Sequence, residues 1–413
     1  MAEGSVPITW WRECVRIHPV VAIEKWRFTP HDNGNFDSIP VRSVSGPRDL
    51  SQKGWTQPMQ TTYWRLGSGD AADRRAIEEA AAWLREGKTV AFPTETVYGL
   101  GADAASDEAV RRIFAAKGRP SDNPLIVHVA GIADAERLAM RISPLAARLM
   151  ERFWPGPLTV VLPCRHDRVA PSVTAGLATV AVRVPAHPVA LALLEAARIP
   201  VAAPSANLSG RPSPTTAAHV REDLDGRIDG ILDGGPAGVG LESTVVEADD
   251  NGRVTVLRPG GISLEQLREV APDAALDEAL LQNAAAADVA PKSPGMKYAH
   301  YAPKGAMVVV AGDSAERVIE RMRRELAAAA ERGAKTGVLA FSEHLPRLDA
   351  DVAIAYGSLR NPAEAAGRLY GALREFDDRG VEVIVAEGWT ETGIGLAVMN
   401  RLRKAASGRI LRV

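Results

Sequence analysis

Apolar positions recur along the chain with two periods. From Ala72 to Arg85 the residues Ile77, Ala80, Ala81 and Leu84 fall at helical spacing, and Gly87 supplies a stop. Thr89 to Phe92 then reads as a buried strand, Pro93 to Gly101 as a turn-rich loop, and Asp107 to Lys117 as a helix capped by Ser106 and ended by Gly118. Further strands are predicted near Leu125 to Val129, Leu158 to Leu162, Thr179 to Val184, Val201 to Ala203, Gly230 to Leu232, Ser243 to Glu247 and Thr255 to Leu257. Helices are predicted at Pro144 to Phe153 and Pro188 to Ala197. Strands outnumber helices, so a strictly parallel doubly wound sheet does not fit; a twisted mixed sheet with helices packed on it does.

The pattern weakens from Asp273 to Ala287, and Pro291-Lys292-Ser293-Pro294-Gly295 reads as a linker. Beyond it, strands Met307 to Ala311, Thr336 to Phe341 and Val381 to Ala386 alternate with helices Ala315 to Arg332, Pro362 to Asp378 and Leu396 to Ala406. That alternation predicts a small Rossmann-like α/β domain. The expected organisation is an extension over 1–58, a first domain over 59–272, a linker over 273–305 and a second domain over 306–413. Residues 1–58 hold four of the eight tryptophans with little periodicity, and Arg12, Glu13 and Arg16 interrupt the only candidate for an export signal. The natural product is therefore expected to start at Met59, with the preceding stretch non-native or poorly ordered.

With 413 residues the chain can bury the cores of two or three domains without staples. Its two cysteines, Cys14 and Cys164, lack metal-ligand spacing and suit a reducing cytosol. A formal net charge of -2 argues against a coat of positive charge for nucleic acid and confines any RNA contact to a patch. The longest apolar runs fall well short of the roughly 20 residues that span a bilayer. A soluble, cytoplasmic protein with no membrane partner is expected.

Candidate chemistry gathers at strand ends. The loop from Pro93 to Gly101 sets hydroxyls and the Glu95 carboxylate directly after a strand, where open α/β sheets bind ligands; a plain polar turn is the alternative. Lys117 and Arg119 flank the end of a helix, with Ser121, Asn123 and His128 close behind, although cations at a helix C-terminus also suit the helix dipole. In the alternating strand Thr179 to Val184 the valines face the core, while Thr179, Ala181 and Arg183 share the other face. Arg183 there needs an anion, either a ligand's or that of a structural Asp or Glu. No P-loop, dinucleotide fingerprint, nucleophile elbow or H-E-x-x-H pair is present.

Six motifs in order carry a resemblance. T-V-A-F-P-T-E-T-V-Y-G-L-G from Thr89, K-G-R-P-S-D-N-P-L from Lys117, S-A-N-x-S-G from Ser205 and E-S-T-V-V from Glu242 resemble the YrdC-like family of L-threonylcarbamoyl-AMP synthases. S-P-G-M-K-Y-x-H-Y-A-P from Ser293 is similar to the linker of its longer two-domain form, as G-I-G-L-A-V-M-N-R-L-R-K-A-A from Gly393 is to that form's C-terminal end. The resemblance implies condensation of L-threonine, bicarbonate and ATP, with magnesium, to threonylcarbamoyl-adenylate and pyrophosphate. It also implies a separate downstream transferase complex that modifies tRNA beside the anticodon; direct tRNA contact is left open.

By the same resemblance Thr96, His128, Arg183 and Ser243 match the threonine pocket. Arg119, Asn123, Thr179, Ser205, Ser213 and Arg258 match the nucleotide pocket, with Lys117 near the phosphates and Lys117 and Arg119 the expected catalytic pair. Tyr301, or Tyr298, matches a linker tyrosine that closes over the nucleotide and is expected to have little core around it. Arg401, Arg403 and Lys404 read as a solvated helix face, with a tRNA or partner contact as the alternative.

Overall fold

The computed structural model describes residues 59–67, 71–249, 251–281 and 301–413. The expectations for residues 1–58, Cys14 and Tyr298 lie outside the described residues, as does most of the linker. Across the first sheet the strands run Thr62–Arg65, Gly230–Asp233, Val90–Phe92, Gly99–Asp103, Val201–Ala202, Ile126–His128, Thr179–Arg183, Leu158–Pro163, Thr244–Ala248, Val254–Arg258 and Ala275–Leu276. Parallel and antiparallel neighbours are interspersed, as in the pairing of Ile126–His128 parallel to Thr179–Arg183 and of Leu158–Pro163 antiparallel to it. The mixed sheet read from the pattern is the sheet observed.

The Asp107–Lys117 helix shows how local sequence sets the frame. Ser106 accepts a hydrogen bond from the Ala109 N–H at 3.2 Å and Gly118 closes the end. Ala109, Val110, Ile113, Phe114 and Lys117 share its buried side. The same i, i+4 geometry that buries Ile113 also buries Lys117. On the opposite face of the sheet, Ala71–Arg85 packs against Pro188–Ala197 through Ala80, Ala81, Leu84, Leu193 and Leu194.

Part of the expected Pro93 to Gly101 loop is strand. Gly99–Asp103 pairs antiparallel with Val90–Phe92, so the loop proper is only Pro93 to Tyr98. Gly-Leu-Gly looks like a turn, but here glycine answers crowding. A Cβ on Gly101 would stand 2.9 Å from both the Phe92 ring and the Val201 side chain. Ala275–Leu276, placed in the linker by its weak pattern, extends the first sheet as a strand parallel to Val254–Arg258.

In the second sheet the order is Val352–Ala355, Thr336–Ala340, Val383–Glu387, Ala306–Ala311 and Ile410–Arg412, and every pairing is parallel. The expectation of a parallel α/β domain holds; the fourth strand in chain order sits between the first and second. Helices Pro362–Asp378 and Ile394–Ala405 contribute to one core and Ala315–Glu331 to another. Val97 and Leu241, which belong to loops of the first sheet, are buried in the former core.

Candidate active site

Thr94 shapes the loop that follows Val90–Phe92. Its hydroxyl donates to the Val97 carbonyl at 2.6 Å and accepts from the Thr96 and Val97 N–H groups at 3.2 Å, a side-chain turn that aims Thr96 inward. There Thr96 accepts from Arg183 at 2.9 Å. The parallel register sets His128 directly beside Arg183. Arg183, 3% exposed, also donates to the Gly156 carbonyl at 3.2 Å and pairs with Glu95 at 2.6 Å. Of the two partners the sequence left open for this arginine, the structure supplies the structural carboxylate.

His128 is buried, and its Nδ1 has no hydrogen-bond partner. Burial, then the Arg183 charge, push its pKa down to about 3, so the ring is neutral near pH 7. A second wall comes from the hairpin-like pair Thr244–Ala248 and Val254–Arg258. Arg258 donates to the Ser243 carbonyl at 3.0 Å and hydroxyl at 3.3 Å, while the Ser243 hydroxyl shares a 2.7 Å bond with Thr159.

A third wall is the loop after Val201–Ala202, held from behind by Lys117. The Lys117 ammonium donates to the Ser205 carbonyl at 2.6 Å and to the Asn207 carbonyl, and burial lowers its pKa well below the usual lysine value. Asn207 adds bonds to the carbonyls of Leu208 and Arg211 at 2.8 and 2.9 Å. Lys117 therefore works as a scaffold for this loop and does not line the cavity.

These walls surround one concave pocket, partly open to solvent. Thr96, Arg119, His128, Arg183, Ser205, Ser243, Arg258 and Tyr301 all line it, brought together from segments up to two hundred residues apart. Asn123, Thr179 and Ser213 do not line it. Asn123 is wholly buried with neither end of its side-chain amide hydrogen-bonded. Thr179 begins the strand that ends at Arg183, and Ser213 donates to Glu242 at 2.6 Å.

The second domain packs behind the Glu242 wall of the cavity, and here two expectations are corrected. Tyr301 is 6% exposed and stacks on Tyr370 with centroids 5.3 Å apart, so the linker tyrosine has a core after all. Arg401 is fully buried and pairs with Glu242 at 2.8 Å, which overturns the solvated-face reading for that residue. Arg403 is half-buried and pairs with Glu391.

The chain resembles known proteins over nearly all of this framework. A family profile described as "Telomere recombination" matches residues 82–260, and one described as "Threonylcarbamoyl-AMP synthase, C-terminal domain" matches 262–407. The threonylcarbamoyl-AMP synthase of Bacillus subtilis is 49% identical over 356 residues, covering 86% of this chain and all of the relative. The chain belongs to the threonylcarbamoyl-AMP synthase family.

Within that family, the crystal structure of the Pyrococcus abyssi Sua5 protein complexed with L-threonine is similar at a TM-score of 0.78 and 47% identity, covering 86% of this chain and 99% of that one. The threonylcarbamoyl-AMP synthase of Halorhodospira halophila is 43% identical over 161 residues, which cover 82% of it but only 38% of this chain. The long form to which this chain belongs thus adds a second domain. Sequence reasoning missed the structural parts played by Glu95, Asn207, Glu242 and Tyr370. Three of these stand inside the quoted motifs, where the signal lay; Tyr370 lies in an ordinary helix pattern with no such mark.

Proposed function

We propose that this cavity makes threonylcarbamoyl-adenylate from L-threonine, bicarbonate and ATP, releasing pyrophosphate. The observation that carries the proposal is the convergence of Arg119, Arg183 and Arg258 with the hydroxyls of Thr96, Ser205, Ser243 and Tyr301 on one cavity. Family membership supports it. Among the described residues no three His, Cys, Asp or Glu side chains form a metal cluster, and Glu242 is already held by Ser213, Tyr370 and Arg401. In this proposal magnesium arrives on the phosphates of ATP as part of the substrate.

Arg183, fixed from behind by Glu95, offers its guanidinium to the threonine carboxylate, and Thr96, Ser243 and neutral His128 complete the amino-acid half. Arg119, Ser205 and Arg258 face the nucleotide, Asn123, Thr179 and Ser213 support that half, and Tyr301 covers it. ATP carries about four negative charges, which the arginines and the metal offset. The threonine nitrogen forms a C–N bond to the bicarbonate carbon with loss of water. An oxygen of the resulting carbamate then bonds to the α-phosphorus as the P–O bond to pyrophosphate breaks, the electron pair leaving with pyrophosphate. Orientation and charge stabilisation supply the rate.

In this reading 59–272 is the catalytic unit, 273–305 the linker and 306–413 the accessory unit of a cytoplasmic enzyme. Its product serves a separate transferase complex that modifies tRNA beside the anticodon. No helix among the described residues is long and apolar enough to cross a membrane. The test is pyrophosphate release from ATP that requires both threonine and bicarbonate. Equal release without threonine, or none at all, rejects the proposal.

A further inference from the structure

The cavity wall that carries Ser205 and Asn207 is held from a second side. Asp223, on the helix Ala217–Leu224 and 3% exposed, accepts from the Leu208 N–H at 3.3 Å and pairs with Arg211. Arg374 reaches the same carboxylate from the second domain's helix Pro362–Asp378. It is 1% exposed, and its two terminal nitrogens grip the two Asp223 oxygens at 3.2 and 2.8 Å. The nitrogen at 2.8 Å also donates to the Pro212 carbonyl at 2.6 Å, and the other to Glu222 at 3.2 Å.

From there hydrogen bonds run without a break to the cavity. The Asn207 side-chain amide donates to the carbonyls of Leu208 and Arg211 and accepts from the Ser205 hydroxyl at 2.5 Å. Ser205 and Asn207 line the cavity, whereas Arg374 does not. A shift of residues 208–212 therefore turns the Asn207 amide and, with it, the Ser205 hydroxyl. The helix that carries Arg374 meets the neighbouring segments with the same face, on which Gly367, Tyr370, Arg374 and Asp377 follow one another at helical spacing. A Cβ on Gly240 would stand 2.5 Å from the Gly367 Cα, Tyr370 holds Glu242 and stacks on Tyr301, and Asp377 accepts from the Lys304 N–H at 2.7 Å.

We infer that Arg374 is a positioning residue for the nucleotide half of the site: by gripping Asp223 and Pro212 it sets residues 208–212, and through the Asn207 amide it sets the Ser205 hydroxyl. The inference rests on the synthase reading above. A guanidinium suits the task, because its fork matches a carboxylate and still leaves a donor for a carbonyl. The charged groups around it are committed elsewhere. Arg211 pairs with Asp223 and Glu222, and Lys117, which feels both Asp223 and Arg374, donates to the Ser205 and Asn207 carbonyls. His219, its pKa held down to about 4 by burial and then by Arg374, is neutral near pH 7. Removing the Arg374 guanidinium thus leaves Asp223 paired with Arg211, while the Pro212 carbonyl loses its donor and the loop its tie to the second domain.

The test uses the full chain: the parent, Arg374→Met and Glu222→Gln, each melted to check folding. Hydrogen exchange by mass spectrometry follows the peptide over residues 205–213, calorimetry without threonine reads ATP affinity, and pyrophosphate release gives KM for ATP and for threonine. Arg374→Met should speed exchange of that peptide about tenfold and leave the strand Thr179–Arg183 unchanged. It should weaken ATP about tenfold and leave the threonine KM within about twofold. A merely structural loss would lower the active fraction and leave both constants where they were. Glu222→Gln removes the half-exposed carboxylate of the cluster and keeps the grip on Asp223 and Pro212, so both readouts should stay within about twofold of the parent.

A folded Arg374→Met with ATP affinity within about twofold of the parent, an equal rise in both KM values, or an unchanged 205–213 peptide overturns the inference. So does a Glu222→Gln variant that matches Arg374→Met, because the effect then follows the charge of the cluster and not the grip on the loop. Should Arg374→Met fail to fold, Arg374→Lys keeps the charge without the fork; it should weaken ATP about threefold, and no change overturns the inference equally. Absence of threonine-dependent pyrophosphate release from the parent rejects the synthase reading, while the exchange comparison still decides whether Arg374 holds the loop.

Discussion

Lowering the pH from 7 to 5 should destabilise the folded protein by about 2 kcal/mol at His128 alone. The unfolded imidazole takes up a proton as the pH falls through 6.5, whereas the folded one, held down by burial and by Arg183, waits until about 3. Between those values the unfolded state binds more protons, so stability falls as pH falls. At pH 5 the gap is about 1.5 pH units at about 1.36 kcal/mol each. His219, whose pKa burial and Arg374 lower to about 4, acts in the same direction and adds a similar amount. Urea unfolding of the parent, His128→Asn and His219→Asn across this range separates the two terms. Each variant should lose about 2 kcal/mol of the parent's pH dependence between pH 7 and 5. If His128→Asn and the parent lose stability in parallel, the imidazole titrates normally in the fold and the account of a dry, neutral ring beside Arg183 is wrong.

Three further outcomes follow from the site. Lys117→Ala leaves the Ser205 and Asn207 carbonyls without their buried donor, so urea unfolding should show a loss of about 3 kcal/mol, with ATP and threonine use both impaired as the loop relaxes. Arg183→Ala should chiefly raise the KM for threonine and Arg258→Ala that for ATP; a steady-state assay in which neither constant moves would dismiss the pocket assignment. Tyr301→Ala truncates a buried aromatic, so it should cost about 3 kcal/mol in denaturant as well as ATP affinity, and an unchanged unfolding midpoint would contradict its place in the core.

What could be read from sequence follows from where each signal resides. Pro144–Phe153, Pro188–Ala197 and Pro362–Asp378 were bounded to the residue, because proline at the first helical position marks the start and the apolar stripe carries the rest. Thr62–Arg65, Val352–Ala355 and Ile410–Arg412 were not read from the pattern: each is a short strand held by its neighbour in the sheet. The site divides in the same way. The resemblance named eight residues that line the cavity and four that do not, but not how their charges pair. Arg183 reaches Glu95 across a loop and Arg401 reaches Glu242 across two domains, 159 positions apart. Spacing along a helix placed Arg401 beside Arg403 and Lys404 and so suggested a wet cationic face. Only the ion pair of buried Arg401 with Glu242 shows that this residue turns inward.

Those pairings also explain how a chain of net charge -2 can serve two substrates of very different charge in one cavity. Arg183 stands with Glu95, a pair with no net charge, which matches an amino acid whose own ammonium and carboxylate cancel. Arg119 donates to the carbonyls of Asn123 and Pro124, and Arg258 to that of Ser243. In the proposed assignment those carbonyls help orient both guanidiniums toward a triphosphate. Glu242, which also lines the cavity, is bound to Arg401. In the proposed assignment the amino-acid half is built within the first domain, whereas the wall that carries Arg258 adjoins Glu242, which the second domain holds through Tyr370 and Arg401.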